Sequence, residues 1–343
     1  MENEKNNKKG KKVALIIALV ALGLILALLI TGLIFGKSIL GKVGRIDPDE
    51  TISQEEIDAI LNETDPVDPN VPEMDENEIA DPNGPNGPVE QGDNILNIML
   101  VGQDRRPGQG RQRSDSMILI TINKEKKSVT MTSFMRDLWV KIPGKYNERL
   151  NVPYAVGGFP LLNETMESVF GVQVDHGVEV DFGAFEHVID ALGGVEITIT
   201  GAEAKQMNRG TGWGLSAGTY NLTGKQALAY ARMRVIGSEF ARTNRQRTIL
   251  NVLFKKIRNL SLTELYALSD KLLPLVKTDM SDTDIVNYIL ELSKILPDLE
   301  ITSQRVPIDG AYKLTMIRKK SVIYLSEANM EKNLQFIKDT IGE

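Results

Sequence analysis

Apolar and polar positions divide this chain into three unlike stretches. Val13 to Phe35 runs twenty-three residues without a charge. As a helix, at 1.5 Å per residue, it would reach about 34 Å, enough to cross a hydrocarbon core of about 30 Å. From Ile46 to Asp93 apolar residues are scattered among acids and prolines. Only Ile57, Ile60 and Leu61 fall at helical spacing there, behind the capping-box pattern Ser53-Gln54-Glu55-Glu56, which predicts one short helix. From Asn94 onward, short apolar runs alternate with turn residues. Ile95 to Val101, Met117 to Ile122 and Ser128 to Phe134 read as strands, with Asn123 to Lys127 as the turn between the last two.

Beyond Phe134 helical and extended patterns alternate. Pro160 to Phe170, Phe182 to Leu192 and Thr223 to Ala231 read as helices, and Val174 to Asp181 and Val195 to Thr200 as strands. A helix follows Phe240, then helices near 262–272 and 282–295, strands near 300–308 and 321–325, and a closing helix at 328–341. This mixture predicts the α/β class: a single extracytoplasmic domain over 94–343, with a central mixed β-sheet flanked by helices, preceded by one transmembrane helix. The expected organisation is a basic tail at 1–12, the span at 13–35, an acidic Pro-rich linker at 36–93 and the domain.

Charge adds a polarity to that plan. Residues 1–12 carry five lysines, and only Lys37, Lys42 and Arg45 follow the span, which places the N-terminus in the cytoplasm. Ile46 to Asp93 holds sixteen Asp and Glu, no Lys or Arg, and half of the fourteen prolines. Such a composition buries too little apolar surface to fold by itself, and it reads as a solvated spacer. The rest of the chain carries 30 acids against 40 bases, a balance that calls for anionic partners. The absence of cysteine removes thiolate catalysis and cysteine metal sites.

Two groups of residues carry candidate chemistry. The run Gln226 to Arg247 holds Arg232, Arg234, Arg242, Arg245 and Arg247 around a single acid, Glu239. Continued as a helix after Phe240, it places Arg242, Arg245 and Gln246 on the same face as Ile249, Leu253 and Ile257. An unpaired cation on an apolar face is costly, so an anion is expected there. The second group comes from the three strands. In a meander, the end of the first, the start of the second and the end of the third share one sheet edge. Asp104, Arg113, Asp115 and Arg136 then become neighbours. Two readings fit: a salt-bridge cluster at strand ends, or a hard-oxygen site for magnesium completed by a substrate's phosphates.

Other signals carry little. Gly210-Thr211-Gly212-Trp213-Gly214 matches neither the Rossmann nor the P-loop spacing and reads as a loop. His176 and His187 sit in no metal-ligand pattern, and no histidine base lies near Ser114 or Ser116. Nucleic-acid binding is not expected, because the arginines share a face with apolar residues and the domain is placed outside the cell.

The strand ending in Gly102-Gln103-Asp104-Arg105-Arg106, then Arg113-Ser114-Asp115-Ser116, Met135-Arg136-Asp137 and the run from Gln226 resemble, in order, the signature blocks of the LytR-CpsA-Psr family. The resemblance covers about 94–259. It implies an α/β fold with an apolar tunnel for a polyprenyl chain. It implies a phosphotransferase that moves a glycopolymer, such as wall teichoic acid or capsule, from a polyprenyl-pyrophosphate-linked donor to a peptidoglycan acceptor at the cytoplasmic membrane. Magnesium, or manganese in its place, is the implied cofactor. Matched by position, Asp104 and Asp115 correspond to the metal-associated acids. Arg113 and Arg136, with Arg232, Arg234, Arg242 and Gln246, correspond to pyrophosphate-contacting residues. Asp104, Arg113, Asp115 and Arg136 form the expected catalytic group, with Arg106, Asn151, Glu239 and Arg245 as further candidates without a fixed role. The family has Asp where this chain has Glu239, and often Asn-His where it has Asn151-Val152.

Hydrolysis of the polyprenyl pyrophosphate and a non-catalytic envelope binding or regulatory role are the alternatives to transfer. The topology has its own test. A reporter active only outside the cytoplasm, fused after Glu343, is expected to be active; activity only of a cytoplasmic reporter would reverse the assigned orientation.

Overall fold

A computed structural model describes residues 41–47, 50–66, 71–75, 89–103, 110–233, 273–295 and 300–341, with helical positions Arg245, Thr248, Ile249, Val252, Lys256, Glu264, Ala267, Leu268 and Lys271. The apolar run 13–35 lies outside the described residues. Among those described, no helix is long and apolar enough to cross a membrane. The chain divides into two compact units, one of 46–179 with 304–343 and one of 180–303 with the residues up to 45.

The first unit is built on the expected meander. Strands β2 (Ile95–Gln103), β3 (Ser114–Asn123) and β4 (Ser128–Phe134) pair antiparallel, with Gly102 opposite Ser116 and Met117 opposite both Val101 and Phe134. Their apolar runs are nearly continuous because both faces are covered, and Met117, Ile118, Leu119 and Ile120 are all buried. The turn between β3 and β4 closes where Lys126 N donates to Asn123 Oδ1 at 2.8 Å. Strands β7 (His176–Asp181) and β11 (Glu300–Val306) flank this set, in the order β7-β2-β3-β4-β11. In the other unit β1 (Gly44–Arg45) pairs parallel with β10 (Val276–Thr278), so antiparallel and parallel pairings both occur.

Packed on one face of the meander are helix α2 (Val152–Phe170) and the closing helix α7 (Glu327–Ile341). Tyr154, Leu162, Met166, Phe170, Met330 and Ile337 join Met99, Met117, Leu119 and Phe134 in one core. The sequence places a helix start at Pro160. The structure carries it back to Val152 through a kink at Gly158, which tolerates φ 64 and ψ −156. A hairpin of β5 (Trp139–Lys141) and β6 (Asn147–Arg149) leaves no mark in the sequence pattern, since three-residue strands carry no readable periodicity. Its turn has the Pro143-Gly144 signature, and Lys145 N donates to Ile142 O at 3.1 Å.

The second unit contains α3 (Phe182–Ala191), the antiparallel pair β8 (Val195–Ile199) and β9 (Gly218–Leu222), α4 (Gly201–Met207), α5 (Gly224–Arg232) and α6 (Asp282–Ile295). Thr200 and Thr223 each begin a capping box. Ile197, Ile199, Leu222, Ala227, Tyr230 and Ile249 share its core.

The solvated-spacer reading of 46–93 needs correction. Helix α1 (Gln54–Asn62) starts at the predicted capping box, with Ser53 N donating to Glu56 Oε2 at 2.8 Å. Ile60 and Leu61 then pack against Ile142, Val152 and Leu161. Asp65 accepts from Arg149 Nη1 at 2.9 Å and from Ser321 N at 2.8 Å. Pro72 O accepts from Met316 N in β12 (Lys313–Ile317) at 2.9 Å, and Val89 N donates to Gly171 O at 2.8 Å. Composition is right that this stretch makes no core of its own. It borrows one from the domain, and its acids meet cations that the domain buries.

An ion pair within the domain itself fixes the start of β13 (Lys320–Tyr324). Lys320 and Glu148 form an ion pair with side chains only 3% and 1% exposed, and Lys320 Nζ also donates to Leu61 O at 2.8 Å. A buried charge stripped of its partner is strongly destabilising. Lys320→Met is therefore expected to cost about 3–5 kcal/mol in denaturant unfolding of the detergent-solubilised chain, with part regained in Lys320→Met/Glu148→Leu. Equal stability of Lys320→Met and wild type would refute the assignment.

Candidate functional site

Asn151 gathers three segments through its backbone. Its N–H donates to Arg136 O at 3.1 Å, and its carbonyl accepts from Ser114 N at 3.3 Å. Arg136 follows the end of β4, Ser114 opens β3, and Asn151 is the N-cap of α2. The stitch therefore brings Arg113 and Asp115 beside Arg136. Arg136 Nη1 donates to Asp115 Oδ1 at 2.5 Å, and both side chains remain partly exposed. On the β2 side, Gln112 N donates to the buried Gln103 Oε1 at 2.9 Å, tying together the two ends of the Gly-rich loop.

A second layer of charge lies beneath. Arg149, with a side chain 6% exposed, is paired with Asp65 at 2.9 Å and lies 4.0 Å from Asp137, which is in turn 3.5 Å from Arg136 Nε. Arg113 forms an ion pair with Glu63, just after α1. Burial, then the like charges of Arg149 and Arg136, hold the Arg113 guanidinium below its usual pKa, against the opposing pull of Asp115 and Glu148. Arginine titrates so high that the group stays charged, so the shift reports crowding of positive charge around Arg113. The carboxylates keep that crowding tolerable.

Sequence reasoning missed three further buried residues, Arg111, Tyr154 and Glu179. Tyr154 Oη donates to Glu179 Oε2 at 2.6 Å, and burial followed by the Glu179 charge raises the Tyr154 pKa far above its ordinary value. Arg111 is 5% exposed and its Nε donates to Ala155 O at 3.2 Å. The alternation of Arg111 with Arg113 was the available signal, since one side of a strand-like segment faces in. A Cβ at Gly158 would lie 2.7 Å from Arg111 Nη1, so the kink in α2 makes room for the buried guanidinium.

The structure thus joins Arg113, Asp115, Arg136 and Asn151. Asp104, Arg106, Arg234, Glu239, Arg242 and Gln246 lie outside the described residues. Arg232 occupies the last turn of α5, in the second unit. Arg245 is buried in that unit too, and the anion expected for it is internal. Its guanidinium donates to Met233 O and stands 3.5 Å from Glu203 Oε1, while Glu203 Oε2 closes the capping box at Thr200 N, 2.9 Å away. Arg245 is accordingly bound to the scaffold. Burial and Glu203 together push the Tyr230 pKa up to about 12.

Among the described residues no group of three or more His, Cys, Asp or Glu could by itself hold a metal ion. Asp115, a third exposed, is a hard oxygen donor of the kind magnesium or manganese takes.

The sequence profile of the LytR_cpsA_psr family matches residues 58–338. The protein named Regulatory protein MsrR from Staphylococcus aureus is 31% identical over 262 residues, covering 75% of this chain and 77% of that one. The Bacillus subtilis protein named Polyisoprenyl-teichoic acid--peptidoglycan teichoic acid transferase TagT is 30% identical over 242 residues, covering 67% and 75%. A solved structure described as TagT bound to LIIa-WTA superposes with a TM-score of 0.54 at 27% identity, covering 74% of this chain and 93% of that one.

Gly158→Ala tests the seat of Arg111. The added methyl meets both an unfavourable positive φ and the guanidinium. The variant is expected to lose about 1–3 kcal/mol in chemical unfolding. A change below about 0.5 kcal/mol, the range of an ordinary surface substitution, would show that the kink is not constrained in this way.

Proposed function

The chain belongs to the LytR_cpsA_psr family, and from that premise we propose that it is a phosphotransferase acting on the cell envelope. It moves a glycopolymer, such as wall teichoic acid or capsule, from a polyprenyl-pyrophosphate carrier to a peptidoglycan sugar hydroxyl. The observation that supports this reading most is the stitch at Asn151, which sets two partly exposed arginines and a carboxylate at one sheet end. The transferase name of the Bacillus subtilis relative points the same way.

A pyrophosphate diester presents paired anionic oxygens, and the planar guanidinium matches them two at a time while staying charged at any working pH. Arg113 and Arg136 hold the donor by this pairing. Arg232, Arg234, Arg242 and Gln246 are proposed as a further set of pyrophosphate-contacting residues. The acceptor hydroxyl attacks the glycan-linked phosphorus, its bond to the bridging oxygen breaks, and polyprenyl phosphate departs. The hydroxyl proton passes to a carboxylate, for which Asp104 is the candidate in so far as metal binding does not compete for it. Such transfer depends mainly on positioning and on neutralising charge as it develops, and the backbone bonds at Asn151 fix where Arg113 and Arg136 leave the chain. Asp104 and Asp115 would hold magnesium or manganese, which when bound supplies further neutralisation of phosphate charge. The apolar run 13–35 anchors the protein, with the domain on the outer side of the cytoplasmic membrane.

The test uses the full-length protein in detergent with magnesium, a polyprenyl-pyrophosphate-linked glycan and peptidoglycan. Glycan is expected to appear in the insoluble wall fraction together with free polyprenyl phosphate. Arg136→Ala is expected to lower that rate about 10²–10³-fold, the usual loss when one charge-stabilising donor is removed. Glycan release at the same rate without peptidoglycan would make the protein a hydrolase. Donor binding with neither transfer nor release would make it a binding or regulatory protein, the role suggested by the name of the Staphylococcus aureus relative.

A further inference from the structure

The segment after α1 is fixed on both sides of Glu63. Before it, Leu61 O accepts from the buried Lys320, and Ile60 and Leu61 lie in the Ile142 cluster. After it, Asp65 N donates to Lys319 O at 2.9 Å, and the Asp65 carboxylate takes Arg149 and Ser321 N. Glu63 itself is extended, at φ −65 and ψ 132, and its carboxylate reaches Arg113 Nη2. The two acids differ in kind. Asp65 grips an arginine that is 6% exposed, whereas the Glu63 side chain is 48% exposed and has a partner at the candidate site.

We propose that Glu63 is an affinity-setting residue of this site: its carboxylate occupies the anion position at Arg113, and an incoming pyrophosphate must displace it. The inference rests on the pyrophosphate reading given above and adds a specificity determinant to it. Three observations carry it. A carboxylate and a phosphate oxygen pair with the same guanidinium edge, so one substitutes for the other in kind. Glu63 is exposed enough to swing away by side-chain rotation while the backbone stays anchored at Leu61 and Asp65. Finally, Glu63 is in ion-pair contact with Arg113, whereas Asp115 and Glu148 act on it while paired with Arg136 and Lys320. Without Glu63 the resting Arg113 would face Arg136 and Arg149 with less compensation.

Within this described set Arg113, Arg136, Arg149 and Lys320 meet Glu63, Asp65, Asp115, Asp137 and Glu148, four cations against five carboxylates. Removing the Glu63 charge brings the set into balance, so an anion at Arg113 meets less repulsion when Glu63 is neutral.

Calorimetric titration of inorganic pyrophosphate into the full-length detergent-solubilised protein tests this without requiring turnover. Glu63→Gln, which keeps the shape and removes the charge, is expected to bind roughly tenfold more tightly, and the gain should shrink as salt is raised. Glu63→Ala should move affinity in the same direction. In an Arg113→Gln background, Glu63→Gln should give no gain. Unchanged or weaker binding by Glu63→Gln overturns the proposal. So does an equal gain without Arg113, which would be a general field effect, and so does a lack of pyrophosphate binding by every form. A wild type that binds pyrophosphate and shows the Glu63 effect but never transfers glycan removes only the transferase reading. Transfer by a wild type whose Glu63→Gln variant is unchanged in affinity removes only this one.

Discussion

Two backbone hydrogen bonds at Asn151 hold the rest of the site in place. They tie the start of β3 to the start of α2, and the start of α2 to the chain leaving β4. Because the partners are main-chain groups, they fix where Arg113, Asp115 and Arg136 emerge without depending on any of those side chains. The charges can then be arranged for chemistry. Arg136 pairs with Asp115, Arg113 with Glu63, the buried Arg149 with the partly exposed Asp65, and the buried Lys320 with Glu148. Such a cluster is stable only if nearly every charge has a partner, since an unpaired buried ion costs far more than a paired one gains.

This explains which parts were legible in the sequence. The meander was readable because its strands are long apolar runs, and antiparallel order alone then puts Arg113, Asp115 and Arg136 on one edge. Arg149, Glu148 and Lys320 left no such trace. Glu148 and Lys320 lie 172 residues apart, and nothing local in an Asn-Glu-Arg run distinguishes a buried ion pair from a solvated one. Arg245 shows the opposite limit. Periodicity placed it inward and required an anion, and both hold, but the anion is Glu203 of the same scaffold. A face can be inferred from spacing; whether its partner is a ligand or a neighbouring helix depends on tertiary contacts.

The acidic stretch before Asn94 misled for a related reason. Proline and carboxylate content says that a segment cannot fold alone, and this is a weaker statement than that it stays in solvent. Here Asp65 and Glu63 complete ion pairs in the domain, while the Pro72 carbonyl and the Val89 amide are used as bonding partners. A chain cut at Asn94 would leave Arg149 without Asp65 and uncover the apolar surface of Ile142, Val152 and Leu161. The folding unit therefore begins before the composition changes.

The short strand β1 has a consequence for reach. Only eight residues, 36–43, separate the apolar run from Gly44, which is paired with β10. Fully extended, they cover at most roughly 30 Å. For the membrane-anchored protein proposed above, the unit that contains β10 is thus leashed within about one bilayer thickness of the lipid headgroups. On that proposal, a carrier whose tail stays in the bilayer and a protein on so short a leash would meet by diffusion in two dimensions, at the surface where the carrier's phosphates emerge.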